Sequence, residues 1–240
     1  MTNPSLPIMY VRPRPVQSER DAGTSLVGDS NFSFAAKTNS VPVIATEFTL
    51  LCKFFPILFA DSALSQPLAL LGVRTEENLF VNADGQWETD IYVPAYVRRY
   101  PFIFMEDKER GEFTLCVDDA SANLVKDDSN PLFKDGKPTE LTDRALEFCR
   151  QFQAQHAATA DFVKALVDND LLVENRADIT LLNGTKLSLN GFKVIDEARF
   201  NALPAEEFLR WRERGWLHLA YCHFISISNW AGLIERVAKR

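Results

Sequence analysis

Residues 179–195 read Ile179-Thr-Leu-Leu-Asn183-Gly184-Thr-Lys186-Leu-Ser-Leu-Asn190-Gly191-Phe192-Lys-Val-Ile195. Each Asn-Gly pair stands between short apolar runs. That dipeptide suits a tight hairpin turn, because both central residues of such a turn need positive φ. The segment therefore predicts strand, turn, strand, turn, strand, with antiparallel neighbours.

Helical patterns flank it on both sides. Upstream, Leu141, Ala145, Cys149, Phe152 and His156 follow the 3.6-residue period, with Thr142 as a possible cap. Thr159 then opens a second helix with Phe162, Val163, Leu166 and Val167 on one face. Downstream, Pro204 sits in a first turn, Glu206 and Glu207 come early, Arg210, Arg212 and Arg214 come late, and Gly215 ends the run. Trp216, Leu219, Ala220, His223, Ile227, Trp230, Ile234 and Val237 mark one face of a long closing helix.

Toward the N-terminus the pattern turns strand-like. Thr46 to Phe55 suits a short helix stopped by Pro56. Ile57-Leu-Phe-Ala, Leu68-Ala-Leu-Leu, Asn78-Leu-Phe-Val, Phe102-Ile-Phe-Met and Phe113-Thr-Leu-Cys-Val follow as short apolar runs, with turn pairs at Asp84-Gly85 and Asp135-Gly136. These runs predict one mainly antiparallel sheet, so the fold class is α+β with packed helices and a helical C-terminal third. Residues 1–30 hold Pro4, Pro7, Pro13 and Pro15 and predict an extended arm, either wrapped on the body or partly disordered. Residues 31–240 make a single domain, with a possible lobe boundary near 140.

Composition narrows function. At 240 residues and 46% hydrophobic, the chain can bury a sizeable core without metals or disulfides. Its net charge of −7 works against general nucleic-acid binding. Cys52, Cys116, Cys149 and Cys222 form no CxxC pair, which favours free thiols in a reducing compartment. The N-terminus lacks an apolar secretory core, and no run reaches the roughly 20 residues that span a bilayer. The expected location is cytoplasmic.

Catalytic and metal motifs are absent from the linear sequence. His218 and Cys222 stand four apart, enough to offer two ligands on a helix, but no spacing supplies a third. His223 and Ser226 permit a hydroxyl–imidazole contact, and packing of satisfied polar groups is the simpler account. Asp118-Asp119 and Asp127-Asp128 lack the spacing of a calcium loop. Glycines form neither GxGxxG nor a phosphate loop. No metal or cofactor is expected.

One segment competes as a binding surface: Tyr92-Val-Pro-Ala-Tyr96-Val-Arg98-Arg99-Tyr100-Pro-Phe-Ile-Phe104. An arginine fork can grip a carboxylate or phosphate while tyrosines supply flat walls. The candidate ligand-binding set is Arg98, Arg99, Tyr92, Tyr96 and Tyr100, with Trp87 and Glu47. The competing reading pairs the arginines internally with Glu47, Glu76, Glu77 or Asp90, bracing the strand entry.

At these residues the chain resembles the bacterial SapC family. Ser40-Val-Pro-Val with Glu47-Phe48, Phe55-Pro-Ile-Leu-Phe, Leu71-Gly-Val-Arg, Asp84-Gly-Gln-Trp87, the segment 92–102, Pro131-Leu-Phe, Gly191-Phe-Lys-Val-Ile-Asp-Glu and Gly215-Trp-Leu-His-Leu-Ala-Tyr-Cys-His carry the resemblance. They fall in family order over residues 9–235. Near Glu19-Arg20-Asp21 relatives are expected to show a His that this chain lacks. The resemblance implies a link to surface-layer or envelope proteins, and to uptake systems that include TonB-dependent receptors and halogenase-like flavoproteins. It implies no catalytic residue. A transporter permease shares the short name, but this chain has no run long enough to be that protein.

The expectation is a non-enzymatic binding or assembly factor for a peptide, protein or small anionic metabolite. An enzyme acting on a peptide or sugar through scattered residues is the alternative, and a structural subunit of a complex is a third. A cleft combining Arg98 or Arg99 with Glu47, Asp90 or His223 would favour the enzyme.

Overall fold

The computed structural model describes residues 6–28, 31–107, 111–180 and 184–240. Three short strands come first: β1 (Pro13–Pro15), β2 (Thr24–Leu26) and β3 (Ser40–Pro42). A 3₁₀ turn at Ala45–Glu47 leads into α1 (Phe48–Leu51), then β4 (Ile57–Ala60), β5 (Pro67–Leu70) and α2 (Ala95–Arg98). Strands β6 (Phe102–Asp107), β7 (Glu112–Asp118), β8 (Leu124–Lys126), β9 (Phe133–Lys134) and β10 (Lys137–Pro138) precede α3 (Glu140–Asp168). The hairpin β11 (Leu172–Thr180) and β12 (Lys186–Ile195) is followed by α4 (Glu197–Asn201), α5 (Ala205–Glu213), α6 (Trp216–Ser226) and α7 (Trp230–Lys239).

The fold is α+β, with every paired strand antiparallel and a helical C-terminal segment. The single sheet expected from the runs between 57 and 118 is corrected to two. β4 and β5 belong to a five-stranded sheet of order β11-β12-β4-β5-β3, whereas β6 and β7 join β1 in a separate three-stranded sheet. The run Asn78-Leu-Phe-Val forms only an isolated bridge, Val81 to Trp87, around the Asp84-Gly85 turn. Strand pairing is decided by partners distant in sequence, which local periodicity does not report.

The Asn190-Gly191 turn is also corrected. β12 runs straight through it, and the register jumps from Asn175–Phe192 to Ala177–Leu189, so Asn190 and Gly191 together oppose Arg176. This is a β-bulge with Gly191 at φ +79°. The extra residue changes the phase of the alternation. Leu187, Leu189, Phe192 and Val194 thereby stay on one face, where they pack against the main core. The other expected turn, at Asn183-Gly184, lies partly outside the described residues, because Asn183 is not among them. At Asp135-Gly136 the two positive φ angles, 52° and 74°, close the β9–β10 hairpin as expected.

Thr159 does not open a helix. α3 continues unbroken for 29 residues, with Thr139 rather than Thr142 at its N-cap. The Thr159 hydroxyl donates to the Gln155 carbonyl at 2.7 Å and accepts from the Ala45 N–H at 2.9 Å, pinning α3 to the turn that carries Glu47. The long closing helix is interrupted by a 3₁₀ turn at Ile227–Asn229.

His223 and Ser226 stitch that helix to the large sheet. His223 Nε2 accepts from the Ile195 N–H at 3.1 Å, and its Nδ1 faces the Ile57 carbonyl at 2.8 Å, which fixes the proton on Nδ1. Ser226 accepts from the Ile57 N–H at 3.0 Å and donates to the His223 carbonyl at 2.6 Å. Neither contacts the other's side-chain polar atom. Both groups close backbone positions where β4 and β12 begin and end.

Residues of the expected arm join the body. β1 pairs with β7, and the fully buried Asp118 accepts from the Val11 and Arg12 N–H groups at 3.0 and 2.7 Å. Arg14 forks onto Asp21, itself fully buried, at 2.7 and 3.1 Å. The core has two parts. The larger gathers around the five-stranded sheet and the C-terminal helices; the smaller comprises Phe102, Val117, Leu132 and Cys149 with Leu26, Leu141 and Ala145 against them. No helix among the described residues is long and apolar enough to cross a membrane.

Candidate functional site

Pro94 caps α2 in the extended conformation that a residue before a helix adopts, and its carbonyl accepts from Val97 and Arg98. The Tyr100–Pro101 peptide bond is cis, and β6 begins at Phe102. Residues 92–104 therefore wrap a single helical turn between the two cores.

Glu47 anchors this turn from behind. Its carboxylate is buried and accepts from the Ala95 N–H at 2.6 Å, the Tyr92 hydroxyl at 2.8 Å and the Ile44 N–H at 3.4 Å. Burial raises the Glu47 pKa above the ordinary carboxylate value, partly offset by these donors and by Arg98. Tyr92 is pushed up to about 12, first by burial and then by the neighbouring Glu47. Its oxygen also accepts from Arg98 Nη2 at 2.9 Å, and Arg98 Nε donates to the Val93 carbonyl at 3.0 Å. The Arg98 guanidinium is thus held in place at the surface, 5.4 Å from the Phe148 ring centroid. Two of its five N–H donors serve these bonds.

Arg99 is placed differently. Its guanidinium lies 4.0 Å from the Tyr96 ring centroid, 4.6 Å from Phe152 and 5.7 Å from Tyr10. Its Nε is buried without a hydrogen-bond acceptor. Among the described residues neither arginine forms an ion pair, and Glu77 pairs with Arg74 at 2.9 Å instead. The internal pairing with Glu47, Glu76, Glu77 or Asp90 is corrected: aromatic rings and neutral oxygens hold both cations.

The remaining candidates divide. Tyr96 is buried and donates to the Ile8 carbonyl at 3.2 Å. Tyr100 stacks on Phe34 at 3.9 Å and donates to Asp118 at 3.2 Å. Trp87 is buried, stacked on Phe80 and edge-on to Phe32 and Phe55, so it supports a wall from inside the core.

A cleft of about 410 Å³ opens beside this segment. Val93, Val97, Arg98, Arg99, Tyr100 and Phe102 form one wall, Phe32 and Phe34 a second, and Leu141, Arg144, Ala145 and Phe148 of α3 a third. Leu26, Asn31 and Asn123 complete it. It lies at the seam of the two cores: Phe34, Val97 and Phe148 pack with the larger, Phe102, Leu141 and Ala145 with the smaller. Among the described residues, the charged ones in its lining are all arginines. Arg99 contributes to the lining, yet the rings that hold its guanidinium do not border the cleft. Glu47, Tyr92, Tyr96, Trp87, Asp90 and His223 are not in the lining.

Arg144 and Phe148 have no counterpart in the sequence reading. They stand at i+3 and i+7 from Leu141, on the face of α3 that also carries Ala145 and Cys149, so the 3.6-residue period was the signal for them. Phe32 and Phe34 carried a weak signal, an isolated apolar resumption after a polar stretch.

A family model described as SapC matches residues 17–233. The chain belongs to the SapC family. The matched span includes every wall of the cleft, so the site is built from the SapC-family region itself. No curated protein and no solved structure matches the chain.

Elsewhere, a second cleft of about 450 Å³ lies between the β11–β12 hairpin and helices α6 and α7, and His223 borders it. Both His223 nitrogens are occupied by backbone groups. Burial drives its pKa down to about 4, so the ring is neutral and fixed. His218 meets Thr49 at 2.8 Å and Cys222 at 3.7 Å. No three His, Cys, Asp or Glu residues cluster for a metal among the described residues. The four cysteines are free and buried.

Proposed function

We propose that this SapC-family chain is a binding or assembly factor whose partner, a peptide, protein or small metabolite, presents an anionic group to Arg98 at the cleft between the two cores. The observation that carries the reading is the lining: an apolar and aromatic cavity whose described residues include arginines and amides but no carboxylate, imidazole or thiol. The volume falls within the range of small-molecule sites. The enzyme alternative called for Arg98 or Arg99 in one cleft with Glu47, Asp90 or His223. Glu47 instead lies outside the lining and is hydrogen-bonded to the Tyr92 hydroxyl, whose oxygen holds the Arg98 guanidinium.

A cytoplasmic location fits the four buried free thiols. A role alongside surface-layer or envelope uptake systems follows from the family resemblance and belongs to the same proposal. The test is a thermal-shift panel of apolar anions and short peptides on the full chain, repeated with Ala145→Trp, which fills the cleft. Ligands should stabilise the native sequence and lose effect on the variant. Stabilisation that persists unchanged in Ala145→Trp sinks the reading.

A further inference from the structure

Resting on that reading, the arrangement of charge around the cleft narrows the ligand class. The two arginines with exposed side chains, Arg98 and Arg144, stand at the water-facing side, while Phe34, Val97, Leu141 and Phe148 are drawn inward. Phe148 connects the two cations. Arg98 lies 5.4 Å from its ring centroid, and Arg144 precedes it by one helical turn on the same face of α3. A ligand entering here meets cations first and apolar walls behind them.

The number of charges matters as much as their sign. Arg144 is partly committed to Glu140 across 3.5 Å, an exposed i,i+4 contact that water screens. Arg98 has no carboxylate partner among the described residues and retains three N–H donors. Among the described residues, the three lining arginines stand against two carboxylates, Glu140 beside Arg144 and Glu47, which reaches Arg98 through the Tyr92 oxygen. This leaves about one positive charge uncompensated, which matches a monoanion better than a phosphate dianion. A planar carboxylate also fits the arginine fork in two parallel bonds.

We infer that the cleft binds a carboxylate carried on an apolar body, with the carboxylate between Arg98 and Arg144 and the body against Phe34, Leu141 and Phe148. Such a group occurs on a free aliphatic or aryl carboxylic acid and at the C-terminus of a peptide ending in a hydrophobic residue. Both sources share the head and the tail that the cleft reads.

Calorimetric titration of the full chain separates the possibilities. The probes are hexanoate, octanoate and decanoate, then octanol and octyl phosphate, then a short peptide ending in Leu and its C-terminal amide. Affinity should rise along the carboxylate series until the cavity is full. Octanol should bind at least about ten-fold more weakly than octanoate, because the charge-assisted fork is lost, and octyl phosphate should bind more weakly too, because its second negative charge meets no further uncompensated cation. Arg144→Gln and Arg98→Gln should each weaken octanoate while leaving octanol unchanged, and Ala145→Trp should weaken both. If the peptide acid binds more tightly than the free acids and its amide does not, the source is a peptide terminus; the reverse order assigns a small metabolite. Equal affinity for octanoate and octanol, abolished by Ala145→Trp, would overturn the carboxylate inference and leave the cleft intact as a site. No binding by any probe overturns the inference and the cleft reading together.

Discussion

Arg98 and Arg99 are consecutive, and the fold gives them opposite settings. Arg98 is fixed at the mouth of a cleft by the Val93 carbonyl and the Tyr92 oxygen, at 3.0 and 2.9 Å. Arg99 is inserted between the Tyr96 and Phe152 rings at 4.0 and 4.6 Å. A lysine keeps the charge and loses the planar stack. Arg99→Lys should therefore lower stability by about 1–2 kcal/mol, the range of a partly desolvated cation–π contact. Arg98→Lys should change stability by less than about 0.5 kcal/mol, as exposed substitutions generally do, and should weaken ligand binding. Urea unfolding of both variants beside the parent checks this. Equal destabilisation by the two changes contradicts the separation.

Glu47 and His223 predict pH dependences of opposite sign. His223 is depressed in the folded chain from 6.5 to about 4, so the unfolded chain binds the extra proton between those values. Stability is complete above the unfolded value and falls by about 3 kcal/mol as the pH drops from 6.5 toward 4. His223→Gln should flatten that slope while lowering stability at neutral pH.

Glu47 is raised, so the folded chain holds its proton to higher pH than the unfolded chain does. Between the ordinary carboxylate value and the raised one, stability falls as the pH rises. Glu47→Gln removes this falling contribution, so its unfolding free energy should climb more steeply with pH than the parent's in that range. Unfolding free energies collected from pH 4 to 7 for parent and both variants show whether the two slopes separate. A parent curve unchanged by either substitution would refute the assignments.

Two glycines should fail for different reasons. At Gly191 an added Cβ meets nothing within 4 Å, but φ is +79°, so Gly191→Ala should cost about 1–2 kcal/mol of backbone strain. At Gly72 the Cβ would lie 2.0 Å from the Glu77 carbonyl oxygen, a backbone atom that cannot step aside. Gly72→Ala should be the more damaging by melting temperature. The reverse order contradicts the bulge and the close approach alike.

Cys149 and Cys222 are each pushed up to about 11, and Cys116 is raised too, burial being the largest cause in all three. The thiolate is the reactive species. Thiol titration in native buffer should be slow, and the same protein in denaturant without reductant should yield all four. Recovery of two or none in protein shielded from air would indicate disulfides and an oxidising location.

The sequence made the elements legible where the signal was local. The runs Ile57–Ala60 and Phe102–Met105 are strands, and Asp135-Gly136 turns a hairpin, because apolar alternation and φ preference act within a few residues. It did not show that those two runs belong to different sheets, since hydrogen-bond partners lie far along the chain. Asn190-Gly191 misled because a bulge and a hairpin turn ask the same conformation of glycine. The phase change between Leu189 and Phe192 was the clue that distinguished them. For the site, residues 92–104 stood out by composition, yet the wall contributed by Arg144 and Phe148 depends on how α3 crosses that segment. Nothing near residue 144 encodes the crossing.

The central claim is that the seam between the two cores, with Arg98 and Arg144 at its mouth, is where this chain binds its ligand. A crystal structure of the full chain grown with saturating octanoate tests it most directly. The account predicts an alkyl chain between Phe34, Leu141 and Phe148, with its carboxylate within hydrogen-bond distance of both guanidinium groups. A cleft that stays empty under saturating octanoate, or an octanoate bound only elsewhere on the chain, would contradict it.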